Sequence, residues 1–441
     1  MRLLENLFLC LLLFSSLNII FLRNKKIQVY LPLATFVSGI SSIIFEGYRV
    51  HILPALILSL VLLMHVILKT FLPKNKNNKL LNLLGVILLI LTLFVSISIP
   101  FIFPVVRLPK PTGPYQVGTK IMSFIDTSRI EKLSNLDKNR NIPVQVWYPT
   151  TNTNGKKVAN WINSKEALDL FSQHNKLPNI FVHFSLVKTH SYLNSDVLGQ
   201  YKKYPIIIFS GGAGMFNGLN VVQMEELASH GYVVFSVGHP FDDFACIYPD
   251  GKITPYSKKQ SNILSNDTIK AIETAKKSKI NENDAEFDRT IIRNSKLSNS
   301  DLRLWSSDMS FILDKIIDMN NGKISSIFFN KLDISNIGAL GHSFGGAASG
   351  QLCIEDSRVK TFINMHGTPF GNSTDKVIDQ PFMILTHGKP YIANGYSKKQ
   401  NNFTVVYIDG AEHMNFSDLN SLMPFLGKII VFNYKIKYCP R

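Results

Sequence analysis

The chain opens with four long apolar runs, Asn6–Leu22, Val29–Phe45, Val50–Leu68 and Leu80–Phe103, of 17, 17, 19 and 24 residues. About 20 apolar residues in a helix span the hydrocarbon of a bilayer, so the pattern predicts an all-α transmembrane region of about four helices over 1–103. The fourth run carries no charge and is the clearest span. The second, interrupted by Pro32 and Gly39, also fits a re-entrant or interfacial hairpin. The first, following Arg2, also fits a cleavable signal peptide. Cleavage would leave Arg23, Lys25 and Lys26 on the outer side, against the rule that short basic loops stay in the cytoplasm. With Lys69, Lys74, Lys76 and Lys79 in the third loop and a near-neutral second loop (Glu46–Arg49), the first and third loops are expected inside. The remainder of the chain is then extracytoplasmic.

Beyond the Pro-rich exit 104–114 the periodicity changes. Val117–Phe124 and Ile142–Tyr148 alternate as strands do. Tyr204–Ser210 and Tyr232–Val237 are continuous apolar runs, the mark of strands buried on both faces. Residues 258–300 are polar and helix-prone, which predicts a helical cap inserted into one large domain over 104–441. Over Leu302–Met319 the residues Leu304, Trp305, Met309, Ile312, Leu313, Ile316 and Ile317 share one helical face.

Composition narrows the reading. The 441 residues are 46% hydrophobic and 18% charged, with a net charge of +16. Nine Lys/Arg against two Asp/Glu lie in the first 103 residues, and the rest of the excess is diffuse. No RRM, zinc-finger or helix-turn-helix signature accompanies it, so the charge suits membrane topology and anionic lipid rather than nucleic acid. Cys10, Cys246, Cys353 and Cys439 are too scattered for a disulfide or zinc framework. His51, His65, Glu5 and Glu46 raise ion transport as a reading. All but His65 lie at the ends of the runs, where solvated placement costs little, and His65 reads as a packing residue.

The strongest chemical signal is Ile337-Gly-Ala-Leu-Gly341-His-Ser343-Phe-Gly345-Gly346, a G-x-S-x-G pattern between a strand-like and a helix-like run. Glycines on both sides of the serine allow a sharp strand-to-helix turn, which lifts the hydroxyl clear and aims helix N-terminal N–H groups at an oxyanion. Gly211, Gly212, Ala213 and Gly214, after the third central strand, suit a second oxyanion donor and lack the Lys and Ser/Thr of a phosphate loop. His413 follows the strand-like Phe403–Ile408, where the base of a Ser…acid…His order belongs.

These blocks (FSGGAG, LASHGYVVFSVGHPFDDFACIYPDG, DMSFILDKI, GHSFGG and EHMNFSD) resemble the plasma-type platelet-activating-factor acetylhydrolase family and its bacterial relatives. The likeness runs from about Pro111 to Phe425. It implies an α/β-hydrolase fold, a mostly parallel sheet with helices on both faces, and hydrolysis of short acyl esters such as the sn-2 acetyl of ether phospholipids. It further implies Ser343 as nucleophile, His413 as base and the N–H groups of Phe344 and Ala213 as oxyanion donors. No metal, organic cofactor or protein partner is implied; the expected partners are an ester or phospholipid substrate and membrane lipid. One departure stands out. The family's catalytic Asp lies at the end of the strand after the elbow helix, and here that slot holds His366. Asp375, Asp379 and Glu412 are the nearest acids. A degraded hydrolase acting as a binding or sensor domain therefore stays open, as does a transporter with an auxiliary domain.

The loop charges predict that a reporter fused after Arg441 is active only in its periplasmic or extracellular form. Activity of the cytoplasmic type would mean an odd number of spans.

Overall fold

A computed structural model describes residues 2–439 apart from 23–24, 72–78, 135–137, 152, 175–178, 200–202, 283, 388–395, 397–401 and 424–434. Arg23, Lys74 and Lys76, used above for orientation, lie outside the described residues. The chain forms two compact units, one of Met1–Arg107 with Pro178–Val187 and the other of Leu108–Leu177 with Lys188–Arg441.

In the first unit the apolar runs become helices α1 (Leu3–Leu17), α2 (Lys25–Glu46), α3 (Leu53–Phe71) and α4 (Lys79–Ile102). All four are long and apolar enough to cross a membrane. The second run is one continuous helix through Pro32 rather than a hairpin. Phe8, Leu12, Ile52 and Ala55 pack between the helices. Their ends are joined by charge. The Glu46 carboxylate accepts the N–H groups of Leu4 (2.9 Å) and Glu5 (3.0 Å), donors that have no intrahelical acceptor. Glu5 is fully buried and paired with Arg49, which also donates to the carbonyls of Pro100 and Phe103. The solvated placement expected for Glu5 is therefore not what forms; the carboxylate instead ties α1 to Arg49, in the turn between α2 and α3, and Arg49 reaches the end of α4. His51 stacks on Phe103 with ring centroids 4.8 Å apart, and His65 is exposed on α3.

The second unit is built on an eleven-stranded sheet. Its strands are β1 (Gln116–Ile130), β2 (Asn139–Thr150), β3 (Val158–Asn160), β4 (Lys188–Leu193), β5 (Tyr204–Ser210) and β6 (Val233–Val237). After a separate hairpin of β7 (Ala245–Ile247) and β8 (Ile253–Pro255), they continue as β9 (Leu332–His342), β10 (Val359–Met365), β11 (Phe382–Thr386), β12 (Phe403–Asp409) and β13 (Lys435–Cys439). The order across the sheet is β13-β12-β11-β10-β9-β5-β6-β2-β1-β4-β3. From β6 to β12 all neighbours are parallel, which accounts for the continuous apolar runs: Ile206, Ile208, Val233 and Phe235 are shielded from solvent.

The longer helices among the described residues of this unit are α5 (Lys165–His174), α6 (Val221–Ser229), α7 (Lys258–Lys277), α8 (Ala285–Asn294), α9 (Lys296–Asn320) and α10 (Phe344–Glu355). The polar stretch 258–300 forms α7, α8 and the first turn of α9, helical as its composition predicts. On α9 the buried face is Leu302, Trp305, Met309, Ile312, Leu313, Ile316 and Met319, with Leu304 and Ile317 half-buried at its margins.

Removing one member of a buried ion pair strands the other charge, at a cost of about 3–5 kcal/mol. Arg49→Ala is expected to lower the thermal midpoint in detergent sharply. The double replacement Glu5→Leu with Arg49→Leu should recover most of the loss.

Candidate active site

Strand β9 ends at His342, and the chain enters α10 within one residue. Ser343 makes this turn at φ +56°, ψ −125°, in a region that side chains seldom occupy. The turn is locked by its surroundings. Ser343 N–H donates to the Met365 carbonyl (2.8 Å), and the Ser343 carbonyl accepts Gly346 N–H (2.9 Å). A Cβ on Gly341 would sit 2.1 Å from the Gly345 carbonyl oxygen, and one on Gly345 would sit 2.2 Å from the carbonyl oxygens of Ser210 and Gly211. Glycine at both places is what lets β9, α10 and the loop after β5 meet. That loop, 211–214, carries Ala213 and lies against the serine: a Cβ on Gly212 would come within 3.1 Å of Ser343 Cβ. Phe344 is the first residue of α10, so its N–H has no intrahelical acceptor.

His413 stands on a 3-10 turn, His413–Phe416, after β12. Its Nε2 lies 2.9 Å from Ser343 Oγ, and its Nδ1 lies 2.7 Å from Nδ1 of His366. His366 follows β10 at φ +57° and is fixed by its N–H to the Leu385 carbonyl (2.8 Å). The geometry sets the protons. With Nε2 of His413 accepting the serine hydroxyl, its Nδ1–H donates to Nδ1 of His366, and the His366 proton resides on Nε2. That Nε2 is buried without a hydrogen-bond partner among the described residues. Burial, reinforced by His413 and His387, pushes His366 down to about 3, so it is neutral. Burial and then His387 hold His413 below the ordinary histidine value.

Two further histidines complete the cluster. His387 stacks on His366 at 4.2 Å, and His342 Nε2–H donates to the His413 carbonyl (2.9 Å). Both sit at strand ends, where position along the chain does not reveal that they converge. The acids expected near the base do not bond to it. Asp375 is exposed and paired with Arg293 (2.9 Å), Glu412 caps its own turn, and Asp379 is exposed. Among the described residues, no carboxylate bonds to His413. The loop bearing His413 is anchored by Asp418, which accepts the N–H groups of Val221 (2.7 Å) and Val222 (3.1 Å) and of the Trp161 indole (3.0 Å). A cavity of about 210 Å³ opens beside Ala213 and Phe344, walled by Phe370 and by Leu264, Ser265 and Thr268 of α7. Among the described residues, no three or more His, Cys, Asp or Glu side chains are arranged to hold a metal ion, the histidine cluster included.

Over residues 101–439 the chain matches the family model "Platelet-activating factor acetylhydrolase, isoform II". The chain belongs to this family. Platelet-activating factor acetylhydrolase of Bos taurus is 26% identical over 359 residues, covering 75% of this chain and 72% of that protein. The Cavia porcellus protein of the same name is 27% identical over 333 residues, covering 73% and 71%. Among solved structures, ferulic acid esterase from Streptomyces cinnamoneus superposes with a TM-score of 0.54 at 21% identity, covering 74% of this chain and 82% of that one. That likeness shows the fold, an α/β-hydrolase with a large, mostly parallel sheet. Membership of the acetylhydrolase family makes the chain a carboxylic ester hydrolase.

Proposed function

We propose that the chain hydrolyses short acyl esters through Ser343 and His413, with His366 as the third member of the hydrogen-bonded chain. The observation that carries this reading is the 2.9 Å contact between His413 Nε2 and Ser343 Oγ at a strained, glycine-flanked turn. Ser343 Oγ attacks the ester carbonyl while His413 takes its proton. The oxyanion gains the N–H groups of Phe344 and Ala213. His413 returns the proton to the departing alcohol, then activates water, which cleaves the acyl-enzyme to release the acid. The small cavity beside Ala213 and Phe344 supports a short acyl group. The names of the relatives point to an acetyl ester of a phospholipid as substrate. With four helices fit to cross a bilayer, the reading extends to a multi-pass membrane protein with its hydrolase unit outside the cytoplasm.

His366 sets the electrostatics. Through Nδ1 it can hold the His413 tautomer, as the carboxylate does in a Ser-His-Asp triad. Being neutral, it adds no attraction for the imidazolium that forms on His413. Replacing the triad Asp by an uncharged amide costs about 10⁴ in turnover, and a large part of that deficit is expected here. This same absence of charge favours a second reading, a catalytically degraded hydrolase that serves as a binding or sensor domain. Turnover of p-nitrophenyl acetate decides between them.

Ser343→Ala is expected to lower ester turnover at least ~10³-fold; near-wild-type turnover in that variant would remove the nucleophile. His366→Asp should raise kcat by at least ~10-fold, because a carboxylate supports the imidazolium. The pH profile gives an independent check. Because burial lowers the His413 pKa, the acid limb of kcat/KM should lie below about 6.5, the ordinary histidine value. A negative neighbour raises a histidine pKa, so His366→Asp should move that limb to higher pH. Across p-nitrophenyl esters, turnover should fall as the acyl chain outgrows the cavity.

A further inference from the structure

A second Ser-His-Asp chain lies inside the hydrolase unit, and the mechanism above does not use it. Ser210 Oγ is 3.0 Å from His239 Nε2, and His239 Nδ1 is 3.0 Å from Asp308 Oδ2. The three side chains are 0% exposed, so no ester reaches Ser210. Asp308 is also gripped by Arg140 through two bonds of 2.8 and 2.7 Å. Burial alone would raise the Asp308 carboxyl, but Arg140, with the His239 hydrogen bond, holds it far below its usual range, and burial pushes His239 down. An ionised Asp308 only accepts, so His239 Nδ1–H donates to it. Nε2 therefore accepts, and the Ser210 hydroxyl has one direction in which to donate.

We propose that Ser210, His239 and Asp308 are positioning residues that hold the loop 211–214, and with it Ala213 N–H, against the Ser343 turn. This rests on the reading of Ser343 as nucleophile and Ala213 N–H as oxyanion donor. Ser210 is the last residue of β5 and the hinge from which the loop departs. Gly211, Gly212, Ala213 and Gly214 have almost no side chains with which to fix themselves, and glycine backbone is the freest of all. Order must come from the two ends. At the far end, Gly214 N–H donates to the Asp242 carbonyl (2.8 Å), and the Asp242 carboxylate accepts the Trp305 indole N–H (3.1 Å). Trp305 closes the circuit: its ring stacks on His239 at 3.8 Å and 12° and meets Phe344 edge-on at 5.0 Å. One buried block thus fixes both ends of the loop and the residue bearing the second N–H. An oxyanion donor acts over a few tenths of an ångström, and misplacement by about 1 Å can cost ~10²-fold.

The experiment compares an oxoester with its thionoester in the full-length chain. Sulfur accepts hydrogen bonds poorly, so a well-placed oxyanion pair favours the oxoester. Ser210→Ala removes one hydroxyl from the block. It is expected to lower kcat for the oxoester about 10-fold or more, leave KM within about twofold, and narrow the oxo-to-thiono rate ratio. His239→Gln should do the same, and where it fails to fold, Ser210→Ala decides. A purely structural role would reduce the folded fraction and lower both rates equally, leaving the ratio unchanged. An unchanged ratio, or wild-type kcat in Ser210→Ala, overturns the proposal. Loss of turnover in Ser343→Ala alongside an unchanged Ser210→Ala ratio locates the failure in this inference. Retained turnover in Ser343→Ala locates it in the underlying reading.

Discussion

The hydrolase unit depends on one backbone turn. Ser343 occupies a left-handed conformation because three segments close on it without side chains in the way: the end of β9 at Gly341, the start of α10 at Gly345, and the loop after β5. With ordinary side chains at those glycines, Cβ atoms would approach carbonyl oxygens to about 2 Å. The strain of a non-glycine residue at positive φ is thus held by parallel strands on both sides, β5 and β10, which cannot shift without breaking the centre of the sheet.

The electrostatics around the turn are unusual for a hydrolase. His413 is surrounded by imidazoles, His366 and His387 towards one side and His342 beneath its carbonyl. All of this is partly or fully buried, where charge is costly. In the proposed mechanism the proton moves from Ser343 Oγ to His413 beside neutral rings, and the positive charge on His413 gains a hydrogen bond to His366 without a counter-ion. A histidine–carboxylate pair does form elsewhere in this fold, between His239 and Asp308, away from the serine.

The sequence revealed features written in local pattern. The four apolar runs became helices, the parallel strands β5 and β6 were legible as continuous apolar stretches, and the G-x-S-x-G glycines marked the turn. His413 was legible because it follows the last parallel strand. His366 was recognisable only against the family, as a histidine where an acid is expected. Pairings between distant segments were not legible. Glu5 read as a solvated end residue, since nothing within α1 announces Arg49, 44 positions away, as its partner. The convergence of His342, His366 and His387 follows from strand order in the sheet. Ser210, His239 and Asp308 fell within blocks noted for their family likeness, but a hydrogen-bond chain over 98 residues has no local signature.

Activation of Ser343 as a nucleophile by His413 is open to active-site labelling. The full-length protein would be treated with a fluorophosphonate, digested, and the adduct assigned by mass spectrometry. One adduct is expected, on Ser343, and it should be lost in His413→Ala. An adduct on another serine, or ester turnover with Ser343 unmodified, would contradict it.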